Sequence, residues 1–255
     1  MKNDIKEFTL KPYLVGFLCL LLCPLLLMGS TSMVDAADGD ENNTSVHKSV
    51  NGGTMTVTEA LKKLKEGNER FQKSEQIHPN LDHARMESLK ANGQQPFATI
   101  LSCSDSRVPV EHIFDQGAGD LFVIRVAGNI AGSSEIGTIE YAVEHLHTPI
   151  IVVLGHEDCG AVKASFTDAE TSGSLKGLVS KIDAAIDDVK KNKDDFESQD
   201  EALHSAIETN LFNTMKELLA NSEIIRNAVV ANEVELLGAY FNIAEGRVDW
   251  LGESK

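Results

Sequence analysis

Three short, mainly apolar runs of residues occupy the centre of the chain, at positions 97–101, 121–126 and 150–154. Runs of this kind, rich in β-branched residues and without polar alternation, are typical of strands covered on both faces. Between the second and third runs, residues 134–146 repeat apolar side chains every three or four positions, which predicts a helix. Parallel strands need a long crossover connection, which is usually a helix and is right-handed. Strands that alternate with a helix in this way therefore predict a parallel sheet.

The later part of the chain extends this architecture. Residues 236–243 predict a further strand, and a short hairpin leads from it to an antiparallel edge strand at 247–251. The intervening segment, residues 176–231, is mostly helical in pattern. We therefore predict an α/β fold with a mainly parallel central sheet, an antiparallel edge strand and flanking helices.

Two helices are expected before the first strand. Thr58 is a plausible cap for a helix that ends near Gln72, and residues 81–91 form a second helical stretch that ends at Asn92-Gly93. Neither helix has a wide apolar face. We therefore expect these N-terminal helices to pack on a partner subunit.

The N-terminus has the pattern of a secretory signal peptide. Three lysines precede an apolar run at 13–28, and Val34-Asp35-Ala36 supplies a small-x-small cleavage site. An uncleaved membrane anchor is the alternative, but the run is short for a span of about 20 residues and contains Pro24. We expect a periplasmic or secreted protein with no membrane attachment after cleavage. The expected organisation is a signal peptide at 1–37, a flexible leader at 38–57 and one folded domain at 58–255.

The charge balance excludes some partners. Lys and Arg number 23 against 39 Asp and Glu, so the formal net charge is −16. Nucleic acid and anionic lipid surfaces would be repelled, and aromatic residues, at 5%, are too few for a base-stacking platform. A small-molecule enzyme or a solvated binding module remains.

Cysteine usage points to a metal. Removal of the signal peptide leaves only Cys103 and Cys159, each just beyond the carboxyl end of a predicted parallel strand, where open α/β sheets build their sites. His156 lies three residues before Cys159. Two thiolates and an imidazole form a ligand set suited to zinc with a fourth position open. The alternative, a Cys103–Cys159 disulfide in an oxidising compartment, would need neither the histidine nor the Asp and Arg beside Cys103.

The two motifs resemble the signature of the β-class carbonic anhydrases. Cys103-Ser-Asp-Ser-Arg107 is followed by Gly155-His-Glu-Asp-Cys159-Gly, and His156 stands 53 positions after Cys103. Further segments from Pro96 to Ala239 resemble the family in the same order, and the resemblance covers roughly Thr58 to Leu251. The resemblance implies zinc on Cys103, His156 and Cys159, with Asp105 and Arg107 as the active-site pair.

The same resemblance implies an activity and an assembly. A zinc-bound hydroxide would hydrate carbon dioxide reversibly to bicarbonate and a proton, which makes the protein a lyase. The family's carbon dioxide pocket corresponds to Gln94, Phe122 and Tyr141, and its members form homodimers or homotetramers. Asp105 would be a fourth zinc ligand in a closed state known for part of the family.

In that closing subset, bicarbonate binds a separate pocket that uses a tryptophan, an arginine and a tyrosine. This chain has Arg125 but places Ile100 and Phe241 where the tryptophan and tyrosine would stand. Neither replacement can donate a hydrogen bond to an anion. We therefore expect Asp105 to stay paired with Arg107 at alkaline pH, and we expect no allosteric inhibition by bicarbonate.

Two other functions fit the sequence less well. One is a hydrolase on the same scaffold that acts on carbonyl sulfide or carbon disulfide, and the width of the pocket would decide between these substrates. The other is a non-catalytic zinc or redox module, which a closed four-ligand site or a disulfide would support.

Overall fold

The computed structural model describes residues 55–251. The predicted signal peptide and cleavage site lie outside the described residues, as does the leader up to residue 54. Within residues 55–251, no helix combines the length and apolar composition needed to cross a membrane.

A five-stranded sheet in the order β2-β1-β3-β4-β5 organises the domain. The first four strands are parallel, and β5 pairs antiparallel with β4, as the sequence predicts. The strands are β1 (Ala98–Ser102), β2 (Leu121–Arg125), β3 (Ile150–His156), β4 (Glu235–Asn242) and β5 (Arg247–Leu251). The α-helices are α1 (Val57–Gln72), α2 (His83–Asn92), α3 (Val110–Ile113), α4 (Ser133–Glu144), α5 (Gly160–Phe166), α6 (Gly173–Lys191), α7 (Gln199–Asn221) and α8 (Glu223–Val230).

The three apolar runs differ in how deeply the sheet buries them. Every residue of β1 and β3 is buried, in agreement with strands covered on both faces. The same expectation is wrong for β2, whose residues are half-buried or, at Arg125, exposed. The reason is position, because β2 lies at the edge of the sheet and has only β1 as a neighbour.

Helix α1 begins two residues earlier than predicted, at Val57, because Thr56 rather than Thr58 is its cap. The Thr56 hydroxyl accepts from the Glu59 amide, and the Glu59 carboxylate accepts from the Thr56 amide at 2.9 Å. This reciprocal arrangement is a capping box. It satisfies backbone donors at both ends of the first turn.

The two early helices, which we expect to pack on a partner subunit, differ in how much they bury within their own chain. Helix α1 buries Leu64 and Asn68 against its own chain, and the Asn68 side chain donates to Ile113 and Gly246 carbonyls and accepts from the Val248 amide. Helix α2, in contrast, buries no residue. Helix α2 contacts its own chain only at its surface, where Arg85 Nε donates to the Ala118 carbonyl at 2.9 Å.

The helices cover the sheet on both faces. One face carries α1 and α3, while α4 to α8 pack on the other with two apolar clusters, one of which includes both Cys103 and Cys159. The cysteines therefore lie at the border between the end of the sheet and the α5–α7 layer. This border is where the candidate site is found.

Candidate metal centre

Two neighbouring strands bring the predicted metal ligands together. Strand β1 ends at Ser102, so Cys103 follows it directly, and β3 ends at His156. The two strands are adjacent and parallel, with Ser102 opposite Leu154. After His156, a short turn with Asp158 at φ +50° leads to Cys159, which precedes α5.

The three side chains form a compact buried cluster. The Cys103 and Cys159 sulfurs are 4.0 Å apart, and all three potential ligand atoms lie within 4.8 Å of one another. Both cysteines are free thiols, so the disulfide alternative is not what the structure contains. Each of the three residues is buried.

The histidine is oriented toward this cluster by its backbone surroundings. His156 Nδ1 lies 2.9 Å from the Glu157 carbonyl, and since a carbonyl only accepts, Nδ1 must carry the proton. His156 Nε2 therefore presents a lone pair, and it has no hydrogen-bond partner among the described residues although it is buried. A buried nitrogen without a partner is costly, and a metal ion would satisfy it.

The hydrogen bond between the two thiols shifts their pKa values in opposite directions. The pKa of Cys103 is lowered to about 4, first by the hydrogen bond from Cys159 and, against burial, by His156 and the Gly128 amide, which donates to the sulfur at 3.3 Å. The pKa of Cys159 is raised by its bond to Cys103 and by burial. Because two buried thiolates repel each other, a divalent cation is what would deprotonate both. The donor set therefore fits zinc.

Beside the cluster, Arg107 holds Asp105 with a two-point contact. Arg107 Nε donates to Asp105 Oδ1 at 3.0 Å and Nη2 donates to Oδ2 at 2.8 Å. The pKa of Asp105 is lowered to about 2, mainly by this hydrogen bonding, and that of Arg107 is raised. Asp105 Oδ2 lies 3.9 Å from His156 Nε2, so an ionised carboxylate borders the metal ligands while it stays paired with Arg107.

Comparison with known proteins agrees with this geometry. A family model described as carbonic anhydrase matches residues 98–248. The chain is 36% identical over 198 residues to a carbonic anhydrase of Mycolicibacterium smegmatis, which covers 74% of this chain and 91% of that protein. It is 38% identical over 197 residues to carbonic anhydrase 2 of Mycobacterium tuberculosis, covering 74% and 89%.

The chain belongs to the carbonic anhydrase family. A structural comparison identifies the class, since the fold resembles a tetrameric β-carbonic anhydrase of Sordaria macrospora with a TM-score of 0.61 and 30% identity. That likeness covers 67% of this chain and 87% of the other. The β-class resemblance inferred from the two motifs is thus confirmed.

The residues assigned by resemblance to the substrate pocket of this β-carbonic anhydrase are less closely assembled. The centroids of the Phe122 and Tyr141 rings lie 6.1 Å apart, and Tyr141 is 46% exposed. Gln94 is exposed just beyond α2 and forms no hydrogen bond within residues 55–251. A single chain therefore brings the two rings together, but within residues 55–251 Gln94 has no hydrogen bond that ties it to them.

Several residues that position the site had no assigned role in the sequence. Arg125, considered there only as a bicarbonate ligand, donates to the Cys103 carbonyl at 3.1 Å and to the Asp105 carbonyl at 2.6 Å. Asp158 accepts from Arg107 through its carbonyl and from Lys163 through its carboxylate. The contacts of Arg125 and Arg107 are to backbone carbonyls at least 20 positions away, so no local pattern identifies them.

Proposed function

We propose that this chain catalyses the reversible hydration of carbon dioxide to bicarbonate and a proton, with zinc held by Cys103, His156 and Cys159. The observation that carries the proposal is the buried Cys-His-Cys cluster, whose ligand atoms lie within 4.8 Å of one another and whose His156 Nε2 has no protein partner among the described residues. Membership of the carbonic anhydrase family supports the same reaction.

Zinc held by Cys103, His156 and Cys159 would supply a nucleophile from water near neutral pH. Two thiolates and a neutral imidazole would offset the charge of the cation more than three neutral histidines would, and so would acidify the water less. We therefore expect activity to rise toward alkaline pH.

Asp105 is proposed to orient the attacking group. Its carboxylate stays ionised over the working pH range because the Arg107 hydrogen bonds lower its pKa to about 2. A carboxylate has more acceptor positions than the three donors of Arg107 occupy, so Asp105 can also accept a proton-bearing group in the site. Arg107 acts on the reaction through Asp105 and keeps that carboxylate directed along the edge of the cluster.

For substrate binding we propose Gln94, Phe122 and Tyr141. Carbon dioxide is small, linear and without net charge, so apolar ring faces suit it and a single amide donor suffices to orient an oxygen. The proximity of Phe122 and Tyr141 supports this assignment. The exposure of Gln94 and Tyr141 fits a pocket that a second subunit completes.

We propose a homodimer or homotetramer for the same reason. Helix α2 buries no residue of its own, and Ile77, Leu81 and Met86 in and before it are each more than half exposed. Contiguous exposed apolar side chains of this kind mark association surfaces. The Sordaria macrospora relative is tetrameric.

We also propose a periplasmic or secreted location. Its support is the basic, apolar and small-residue pattern of the first 37 residues. N-terminal sequencing of the protein recovered from cell fractions tests it, and we expect a mature chain that begins after Ala36. A full-length chain in the cytoplasm would contradict this location.

The enzymatic proposal is tested by stopped-flow hydration of carbon dioxide on zinc-loaded protein. We expect rapid hydration by the native chain and loss of both zinc and activity in His156→Ala. His147→Asn, which changes an exposed histidine in the loop before β3, is the matched control and should behave like the native chain. Faster turnover of carbonyl sulfide or carbon disulfide than of carbon dioxide would assign the chain to the alternative substrates instead.

A further inference from the structure

A second cavity lies between α6 and α7, outside the metal centre. Its volume is about 390 Å³, within the range of small-molecule sites. Ile130 and three alanines supply an apolar wall. Its polar lining consists of Lys181, Asn210, Asn213, Thr214 and Glu217.

These polar groups differ in burial and in whether they have a partner. Thr214 and Asn210 are each only 2% exposed. The buried Thr214 hydroxyl and the half-buried Asn213 amide have no hydrogen-bond partner among residues 55–251. The Lys181 and Glu217 side chains are exposed, and Glu217 accepts from Asn221 Nδ2 at 2.7 Å. Because buried polar groups are nearly always paired, the free Thr214 hydroxyl favours a polar occupant, with the charged ends of Lys181 and Glu217 accessible beside it.

The charges in the cavity indicate the chemical class of that occupant. Lys181 and Glu217 bring one charge of each sign, and they are not within ion-pair distance of each other. The chain as a whole carries a formal charge of −16, which disfavours an anionic ligand but not a neutral one. A molecule with a carboxylate and an ammonium group has no net charge and matches both ends.

The cavity is also connected to the metal centre. Asn210 Nδ2 donates to the Gly128 carbonyl at 2.8 Å, and the Gly128 amide donates to the Cys103 sulfur. Gly128 has φ +71°, and a Cβ there would lie 2.6 Å from Ile182 Cδ1, so the loop has no free space beside α6. A change in how α6 and α7 pack around an occupant would therefore reach Cys103.

We propose that the cavity between α6 and α7 binds a small zwitterion, such as a free α-amino acid, with its carboxylate on Lys181 and its ammonium group on Glu217. The apolar wall receives the side chain of the ligand, and Thr214 and Asn213 add hydrogen bonds. Binding there alters the hold of the protein on its metal through Asn210, Gly128 and Cys103. This site is separate from the carbon dioxide pocket.

Isothermal titration calorimetry of the zinc-loaded protein tests the proposal, with the common L-α-amino acids added one at a time up to millimolar concentration. We expect at least one to bind. Lys181→Gln and Glu217→Gln should each weaken that binding by roughly ten- to a hundredfold, the loss expected for one charge-assisted hydrogen bond. Lys176→Gln, which changes another exposed lysine on α6, is the matched control and should bind as the native chain does.

Failure of every amino acid to bind would overturn the proposal. Binding that is unchanged in Lys181→Gln would also overturn it. Binding that survives in both variants but disappears when zinc is removed would overturn it too, because the amino acid would then be a ligand of the metal. Acetate or ethylamine binding as tightly as the best amino acid would contradict recognition at two ends. The connection to Cys103 is measured as the rate of zinc removal by a chelator, which a saturating amino acid should change severalfold in the native chain and not in Lys181→Gln.

Discussion

Replacement of Arg107 by lysine tests how the Arg–Asp pair contributes to catalysis. Arg107 contacts the Asp105 carboxylate through two side-chain nitrogens, at 3.0 and 2.8 Å, and Nη2 also donates to the Asp158 carbonyl at 3.1 Å. A lysine keeps the positive charge but offers a single flexible ammonium group instead of a planar fork. Arg107→Lys therefore removes the two-point orientation of Asp105 and leaves most of the electrostatic effect.

The magnitude follows from the number and exposure of the lost contacts. A hydrogen bond to a charged group contributes about 1.5 to 3 kcal/mol when well shielded. Arg107 is 45% exposed and Asp105 18%, so solvent screening reduces the loss of one such bond to about 1 to 2 kcal/mol. That corresponds to a fall in kcat/KM of roughly five- to thirtyfold.

The pH dependence separates orientation from ionisation. In the native chain the pKa of Asp105 is about 2, and its side-chain bond to Arg107 is the largest cause. Weakening that bond raises the pKa toward the ordinary value of 3.8, so at pH 8 the carboxylate is ionised in both proteins. A loss of activity at pH 8 therefore reports orientation, and any further loss in acid reports the changed pKa.

Stopped-flow hydration of carbon dioxide across pH, with zinc content measured on the same samples, provides the assay. Arg226→Lys is the matched control, because Arg226 on α8 binds only the backbone carbonyls of Leu219 and Ser222. We expect full zinc content in both variants. The reasoning is refuted if Arg107→Lys keeps kcat/KM within twofold of the native chain at pH 8.

Three other predictions concern the fold and its assembly. Asp115 is buried and accepts from Arg70 and from the Ile77 and His78 amides, which together outweigh burial and lower its pKa, so Asp115→Asn should lower the free energy of unfolding by about 2 to 3 kcal/mol at pH 7. Because the pKa of Asp115 is lower in the folded than in the unfolded protein, this stabilisation is complete above the unfolded pKa of 3.8 and is lost as pH falls through the folded value. Urea titrations of the native chain and of Asp115→Asn should therefore converge in strong acid. Equal free energies of unfolding at pH 7 would contradict the assignment. Gly67→Ala places a Cβ 1.8 Å from the Phe114 carbonyl oxygen and should cost about 3 kcal/mol or more, whereas Gly137→Ala, with nothing within 4 Å, should be neutral or stabilising. Light scattering should find an assembly of two or four chains, and a stable, active single chain would rule this out.

The fold was predictable because its strongest signals are local. Continuous apolar runs identify β1 and β3, and the apolar residues at 236–243 with the turn residues after them identify β4 and the hairpin to β5. The errors also have physical causes. Residues 121–126 have the composition of a buried strand, yet their burial depends on the order of strands in the sheet, which composition does not specify.

The candidate site was predictable to the extent that its residues follow strand ends. Cys103 and His156 are adjacent because β1 and β3 are neighbours, and the ligand types themselves indicate zinc. The roles of Arg125 and Asn210 were not predictable, since both act by donating to backbone carbonyls of residues at least 20 positions away. Every residue has a backbone carbonyl, so the identity of the accepting residue does not reveal such a contact.

The most direct test of the account is the rate of carbon dioxide hydration as zinc is returned to protein from which it has been removed. The account predicts negligible activity without metal and a rate that rises in proportion to bound zinc until the cluster of Cys103, His156 and Cys159 is filled once per chain. In His156→Ala the same additions should restore little activity. Full activity in the metal-free protein, or none when one zinc per chain is bound, would contradict it.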